Sequence, residues 1–282
     1  MEHSPRIFDG ALFLGTGWRR LYRRSLVLGV SALRRGILTR DRQLLRAAVN
    51  RLLVPLDSWR YYELGRIADE HFAGRCLDVS SPKLLPSLLH AEGLGEWTAV
   101  DLFSQEIELW TALDPKLPMA VEDARNLRFS DETFDNCVCA SVIEHIRPDG
   151  DIEAMAEFWR VLRPGGTLHL TTNMAAVASD VFMQDELWGE ATERVGDRVF
   201  FERRFSEAEV RDRLLRLDWQ VEAFELVTEK WPFHKRFSSA APFSYLAGPL
   251  LRFVSPRNFR TASAQSIRGD FGVGYLRLRK PS

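Results

Sequence analysis

The sequence predicts an α/β fold, because short apolar segments alternate with helical segments and acidic residues close several of the apolar ones. The apolar runs of strand length lie at 75–79, 96–103, 119–124, 134–142 and 166–172. The clearest helical window between them is 150–163, where apolar residues share one face and Pro164-Gly165-Gly166 ends the helix. Strands that alternate with helices imply right-handed crossovers and a parallel sheet.

The segment before this alternation is basic and helical. Residues 18–53 place apolar side chains at helical spacing, and ten Arg but a single acid, Asp41, lie between Arg19 and Arg51. A further helix is expected over 57–74, capped by Asp57 or Ser58. We therefore predict an N-terminal helical extension (1–60) followed by one α/β domain (61–282).

The segment after the fifth strand predicts one more helix and two more strands. Ser206 and Glu209 have the spacing of a capping box, and strands are expected at 219–227 and 273–280. Between those strands, residues 231–271 are too long for a hairpin loop and rich in aromatic residues, so we interpret them as a cap or docking insertion.

Composition excludes several function classes. The chain has 282 residues, a net charge of −1 and no arginine-rich recognition motif or zinc pattern, so we expect no nucleic-acid partner and no metal site. Cys76, Cys137 and Cys139 fall inside predicted strands, which favours buried thiols in a reducing cytoplasm.

Acidic residues end the first three predicted strands, where ligands of a parallel sheet bind. Asp101, about twenty residues beyond the first turn, is suited to accept hydrogen bonds from a ribose diol. Asp123 could accept from an adenine amino group, and Asp78 could hold loop amides or a ligand ammonium. The plainer alternatives are an exposed loop acid for Asp101 and acids that turn the chain for Asp78 and Asp123.

These residues carry a resemblance to a known family. The stretches "CLDV", "VDLF", "EDARNLRFSDETFDNCVCASVIEHI" and "EFWRVLRPGGTLHLTT" resemble class I S-adenosylmethionine-dependent methyltransferases of the small-molecule type. The resemblance implies a Rossmann-like sheet of seven strands with the last antiparallel, and S-adenosyl-L-methionine as cofactor. It implies that Asp101 with Leu102 holds the ribose, Asp123 with Ala124 meets the adenine, and Ser141 lines the pocket near the methionine part.

The first turn departs from the family pattern, which has glycines where this chain has Ser80-Ser81-Pro82-Lys83-Leu84. We expect Ser81 to cap the next helix with Pro82 at its first position, and Pro86 to kink that helix or delay its start. Ser80, Ser81 and Lys83 could replace the lost backbone donors, with Lys83 suited to the cofactor's carboxylate. The alternative is a methyltransferase-like fold that has lost the cofactor.

The function expected from these features is methyl transfer to a small, apolar or aromatic molecule by a cytoplasmic enzyme. His145 is the candidate base for a hydroxyl acceptor, against the alternative that the Glu144-His145 step only packs locally. A catalytically inactive binding or scaffold protein is the competing hypothesis. The basic N-terminal helices leave peripheral contact with a membrane open, and the oligomeric state is unknown.

Overall fold

The computed structural model describes residues 10–11, 14–146, 149–184, 194–231, 252–267 and 271–282. The chain divides into two compact units. The N-terminal unit comprises 11–123 and 229–260, and the C-terminal unit contains 124–228 and 261–282. The described strands form one large mixed sheet and one three-stranded sheet.

The N-terminal unit combines five helices with three parallel strands among its described residues. Its elements are α1 (Gly17–Thr39), α2 (Arg42–Leu53), α3 (Arg60–Ala68), β1 (Arg75–Val79), α4 (Leu84–Ala91), β2 (Glu96–Asp101), α5 (Ser104–Leu113) and β3 (Met119–Val121). Strand β2 lies between β1 and β3, with Cys76 opposite Trp97 and Ala99 opposite Met119. The prediction that residues 18–53 are helical is confirmed, and the segment forms two helices.

Helices α1 and α2 form a tight hairpin. The two helices approach closely at Gly29, because a Cβ atom there would lie 2.8 Å from Leu52. Asp41 caps α2, and its Oδ1 accepts hydrogen bonds from the amides of Gln43 and Leu44. The acid that stands alone in the basic segment therefore has a structural role at the turn.

The C-terminal unit carries the antiparallel part of the large sheet. Its elements are β4 (Phe134–Ala140), α6 (Gly150–Val161), β5 (Leu162–Met174), β6 (Ser179–Met183), β7 (Arg194–Val195), β8 (Arg198–Arg204), β9 (Gln220–Glu229) and β11 (Gly272–Arg279), whereas β10 (Phe259–Thr261) belongs mostly to the N-terminal unit. Strands β4 and β5 are parallel, whereas β11 pairs antiparallel with both β5 and β9. The expected α/β class and the antiparallel last strand are confirmed.

Two features differ from the sequence-based expectation. The large sheet has more than the seven strands predicted, because the short segments Gly10–Ala11 and Phe259–Thr261 also form strands in it. The three-stranded antiparallel sheet of β6, β8 and β7 is absent from the prediction. Ser206 does accept from the amide of Glu209, as predicted, but only a short helical segment, Glu207–Glu209, precedes a π-helical turn.

The core residues expected from the sequence are buried. Cys76, Cys137 and Cys139 are buried and form no disulfide. His169 is buried in β5 beside the Tyr275 hydroxyl, 3.0 Å from its Nδ1 atom. None of the described helices is long and apolar enough to cross a membrane. The division at residue 60 stays a prediction, and much of the predicted insertion at 231–271 lies outside the described residues.

Candidate functional site

The turn after β1 keeps the backbone shape of a glycine turn without the glycine. Ser80 has φ +54°, in the left-handed region that favours glycine. Its amide donates to the carbonyl of Val100 on β2 at 2.8 Å, which fixes the turn against the neighbouring strand. Ser80 occupies the position of the first glycine in the family pattern. The fold therefore imposes a left-handed backbone on a residue with a side chain, which costs free energy.

Helix α4 begins later than the sequence suggests. Its first residue is Leu84 and Lys83 occupies the N-cap, so the expectations of Ser81 as cap and Pro82 at the first position are wrong. The Ser81 hydroxyl instead contacts the carbonyl of Val79 at 3.5 Å. Pro86 falls in the first turn, where a backbone donor is not needed, so it does not delay the start of the helix to residue 86.

The Lys83 side chain points back into the unit and joins two strand-end acids. Lys83 is 1% exposed, and its Nζ lies 2.8 Å from Asp101 Oδ2 and 3.9 Å from Asp78 Oδ2. The same Nζ donates to the backbone carbonyl of Ser81 at 2.8 Å. Lys83, Asp78 and Asp101 therefore form a buried ionic cluster, which we call the strand-end cluster.

Asp101 is held on both of its oxygens by the chain itself. Oδ2 accepts from Lys83, and Oδ1 accepts from the amide of Phe103 at 3.1 Å. Asp101 is buried at the end of β2, with only 6% of its surface exposed. The exposed-loop alternative is wrong for this residue, because its side chain is buried and both of its oxygens accept hydrogen bonds from the chain.

Asp78 is the less satisfied acid of the strand-end cluster. It is fully buried, and the groups that favour its charged form are the Lys83 ammonium, 3.9 Å from Oδ2, and the Ser81 hydroxyl. Burial raises the pKa of Asp78 to about 7, although the nearby Lys83 ammonium opposes that rise. Asp78 is therefore partly protonated near neutral pH, and Lys83 balances chiefly the charge of Asp101.

Two other predicted residues of the N-terminal unit lie near the ends of β2 and β3. Leu102 follows Asp101 and is 40% exposed. Asp123 is half-buried two residues beyond β3, and the amide of the preceding Glu122 donates to the carbonyl of Asp101 at 2.9 Å. The segment around Asp123 is thus anchored to the end of β2.

The remaining predicted residues belong to the C-terminal unit. Ala124 is buried. Ser141 is half-buried directly after β4 with φ +53°, and its amide donates to the carbonyl of Thr171 at 2.9 Å. Like Ser80, Ser141 has a left-handed backbone at the end of a parallel strand.

His145 ends a short 3₁₀ turn, Ile143–His145, in the same unit. Its Nδ1 lies 2.5 Å from the backbone carbonyl of Phe201, and the two rings are 5.1 Å apart. Because a carbonyl can only accept, Nδ1 carries a proton, and in the neutral ring Nε2 is the basic nitrogen. The local-packing alternative describes what this structure shows, while the catalytic role stays a prediction.

The ion pair between Lys83 and Asp101 is the feature that sequence reasoning missed. Both residues were predicted to bind the cofactor separately. The sequence does contain one signal for this pair. Lys83 is followed by Leu84 and Leu85 at the start of an apolar helix, which indicates a buried side chain, and a buried lysine requires a counter-ion. The register of β1 with β2, which puts Val79 opposite Val100, brings Asp101 within reach of it.

The strand-end cluster lies within a stretch of the chain that is similar to a known protein domain. Residues 77–170 match the profile of a methyltransferase domain. No curated protein matches the sequence significantly.

Several solved structures are similar to the chain at low identity. An S-adenosylmethionine-dependent methyltransferase of Methanosarcina mazei is 17% identical, with a TM-score of 0.49 over 73% of this chain and 92% of that one. One from Mesorhizobium loti is 14% identical, with a TM-score of 0.48 over 78% and 97%. Phosphoethanolamine N-methyltransferase 2 of Haemonchus contortus, in complex with S-adenosyl-L-methionine, is 16% identical, with a TM-score of 0.49 over 86% and 59%. The domain profile covers residues 77–170 of the 282-residue chain.

Proposed function

Because residues 77–170 match the profile of a methyltransferase domain, we propose that the chain is a class I S-adenosylmethionine-dependent methyltransferase that transfers a methyl group to a small apolar or aromatic molecule. The observation that carries the proposal is the buried acid Asp101 at the end of the second parallel strand. A carboxylate at that place is what recognition of a ribose diol requires.

The residues of the strand-end cluster fit the ribose of the cofactor. A carboxylate offers about four lone-pair sites, and Asp101 uses one for Lys83 and one for the Phe103 amide. Two sites are left for two hydroxyl donors. The cofactor would supply a methyl group on a sulfonium, and the protein would contribute mainly binding and orientation.

Lys83 is best explained as a residue that positions Asp101. Its ammonium already contacts Asp101 and the Ser81 carbonyl, so it holds the ribose acceptor in place. The sequence-based alternative, a contact with the cofactor's carboxylate, requires Lys83 to leave this pair. Ser80, Ser81 and Asp78 remain candidates to line the methionine part, as the family pattern implies for their positions.

The two roles of Lys83 predict different ligand selectivity. If it positions Asp101, Lys83→Met weakens binding of S-adenosylmethionine and of adenosine by similar factors, because both ligands share the ribose. If it binds the carboxylate, the same variant weakens S-adenosylmethionine by about tenfold or more and leaves adenosine nearly unchanged. Calorimetric titration of both ligands into parent and variant distinguishes the two.

The class of the acceptor is inferred from the sequence. Tyr61 and Tyr62 are fully buried, and their rings lie 5.6 Å from Trp18 and 5.9 Å from Phe259 respectively, so they pack the interior of the N-terminal unit. Trp231 is 74% exposed. Four further aromatic residues of the predicted insertion at 231–271 lie outside the described residues: Phe233, Phe237, Phe243 and Tyr245.

His145 is the proposed base for a hydroxyl acceptor. The Phe201 carbonyl fixes its ring and leaves Nε2 as the nitrogen that would take the proton. A His145→Gln variant is expected to lower the rate for hydroxyl acceptors at neutral pH while leaving cofactor affinity unchanged. An unchanged rate would remove His145 from the chemistry.

Activity is tested by the release of S-adenosylhomocysteine. The protein is incubated with S-adenosylmethionine and a panel of small phenols, catechols, aromatic amines and apolar carboxylic acids, and the product is quantified by mass spectrometry. We expect release with at least one acceptor that Asp101→Asn reduces at least tenfold. Release from sugar phosphates alone would contradict the proposed acceptor class.

The second candidate function is a catalytically inactive binding or scaffold protein. The observation that favours it is the strand-end cluster itself, because the chain satisfies Asp101 without a ligand. Under that hypothesis neither S-adenosylmethionine nor S-adenosylhomocysteine binds, and the cluster serves only to stabilise the fold.

A further inference from the structure

Seven of the ten arginines of the α1–α2 hairpin fall into two sets by what they contact. Four face the interior of the N-terminal unit. Arg20 pairs with Glu92, and Arg24 lies 2.6 Å from Asp114 Oδ2. Arg35 donates to the carbonyl of Leu113 at 2.9 Å, and the Arg51 guanidinium lies 5.4 Å from the centre of the Trp110 ring. These side chains fasten the hairpin to α4 and α5.

A second set lies on the opposite side of α1. Arg19, Arg23 and Arg34 are exposed, and no described acid pairs with any of them. Their spacing places them within one arc of the helix surface. The sequence from residue 10 to residue 40 contains no Asp or Glu, so this side of α1 is basic throughout.

Large apolar residues lie in the same arc of α1. Val27, Val30, Ile37 and Leu38 are 59%, 44%, 62% and 84% exposed. With Arg19, Arg23 and Arg34 they form one continuous stripe, which we call the outer face. Single exposed apolar residues are ordinary, but four on one stripe with arginines between them indicate a binding surface.

A second exposed apolar group of the same unit lies beside α1. Phe253 and Val254 are 53% and 44% exposed. The Arg252 guanidinium lies 5.9 Å from the centre of the Tyr22 ring on α1 and 4.6 Å from that of Phe253. A partly exposed aromatic side chain and a further cation therefore lie beside α1 in the same unit.

We propose that the outer face docks the protein on an anionic lipid surface. Arginine head groups pair with phosphates while apolar and aromatic side chains enter the acyl boundary, which is the pattern of interfacial helices. Nucleic acid would be bound by the cations but gains little from exposed Ile37 and Leu38. A second copy of the same face would be repelled by its own positive charge.

The two components of the surface can be removed separately. Arg19→Gln/Arg23→Gln/Arg34→Gln removes charge, and Ile37→Ser/Leu38→Ser removes apolar contact. A charge-matched control, Arg163→Gln/Arg198→Gln/Arg211→Gln, changes three exposed arginines of the C-terminal unit. All these residues are exposed, and the pairs that Arg163 and Arg211 form with Asp135 and Glu207 are surface pairs of little energy, so the thermal unfolding midpoints of the variants should stay close to that of the parent.

Co-sedimentation with vesicles of phosphatidylcholine and phosphatidylglycerol at 0.1 M salt tests the proposal. The parent should pellet with these vesicles and not with pure phosphatidylcholine. The charge variant should partition roughly a hundredfold less, the apolar variant roughly tenfold less, and the control like the parent. Binding should weaken at 0.5 M salt, because added salt screens the arginines.

Three results would overturn the proposal. One is a parent that stays in the supernatant with anionic vesicles. Another is a control variant that loses as much binding as the charge variant. The third is a pair of results: the apolar variant binds vesicles like the parent, and the charge variant loses binding to both vesicles and a DNA duplex. That pair would assign the outer face to nucleic acid.

Discussion

The strand-end cluster and the outer face are two charged regions of the same N-terminal unit that differ in how their charges are paired. In the cluster, Lys83 is buried and contacts two acids of the chain. On the outer face, Arg19, Arg23 and Arg34 are exposed and have no described acidic partner. The cluster matches its charges internally, whereas the outer face presents unmatched charges to solvent.

This difference separates a region that the fold depends on from one that a partner could use. A buried charge is tolerated only with a counter-ion, so Lys83 and Asp101 cannot be changed one at a time without loss of stability. An exposed charge contributes little to stability, so the outer face can be changed freely. Substitutions should therefore alter stability in the cluster and binding on the outer face.

The largest expected effect on stability is that of Lys83→Met. Removing the cation leaves Asp101 buried without its partner, which should lower the free energy of unfolding by about 3–5 kcal/mol. Urea denaturation at pH 7 measures it, and Lys116→Met, at an exposed position, is the control. The double variant Lys83→Met/Asp101→Asn should recover part of the loss. A change below about 1 kcal/mol would show that the pair is not important for the fold.

Asp78→Asn should change how stability depends on pH. Because the pKa of Asp78 is raised to about 7 in the folded protein, the native state binds more protons than the unfolded chain between about pH 4 and 7. Its contribution is therefore fully present below pH 4 and is lost as the pH rises through 7. The variant should flatten this decline, which is of order 2–4 kcal/mol. Denaturation curves at pH 5 and 8 test it, and parallel pH dependence in parent and variant would contradict it.

Asp101→Asn should weaken cofactor binding at least tenfold, because it removes a charged acceptor of ribose hydroxyls. The loss should be similar for S-adenosylmethionine and adenosine, which share the ribose. Glu106→Gln, an exposed acid of α5, is the matched control and should bind like the parent. Equal affinity of Asp101→Asn and the parent for both ligands would exclude the ribose contact.

The smallest expected effect is that of Ser80→Gly. Glycine removes the cost of the left-handed backbone at φ +54° but adds entropy to the unfolded chain, so the net gain should be about 0.5–1 kcal/mol. Ser80→Ala, which keeps the strained backbone, should show no gain. If both variants had the same unfolding midpoint, the backbone conformation would not be the source of the effect.

The architecture could be predicted from the sequence because its signals are local. Strand patterns at 75–79 and 134–142 and the cap at Ser206 depend on residues close in the chain, and the structure contains each of them. The three-stranded sheet escaped prediction because Glu202 and Arg203 of β8 are used in polar contacts with Asn173 and Asp180. The buried polar residue Glu202 breaks the alternation that identifies a strand.

The candidate site was predictable only as separate residues. Spacing placed Asp78 and Asp101 at strand ends, and the structure has both there. The pairing of Lys83 with Asp101 depends on where α4 begins and on the direction of one side chain. Neither follows from local spacing, since Pro82 and Pro86 each offered a plausible helix start.

Calorimetric titration of S-adenosylmethionine into the parent protein tests the account most directly. The account predicts saturable binding with one site per chain, because Asp101 keeps two acceptor positions beside Lys83 and Phe103. S-adenosylhomocysteine should bind at the same site and displace it. The absence of heat and of displacement for both ligands would contradict the account and leave the strand-end cluster as a purely structural device.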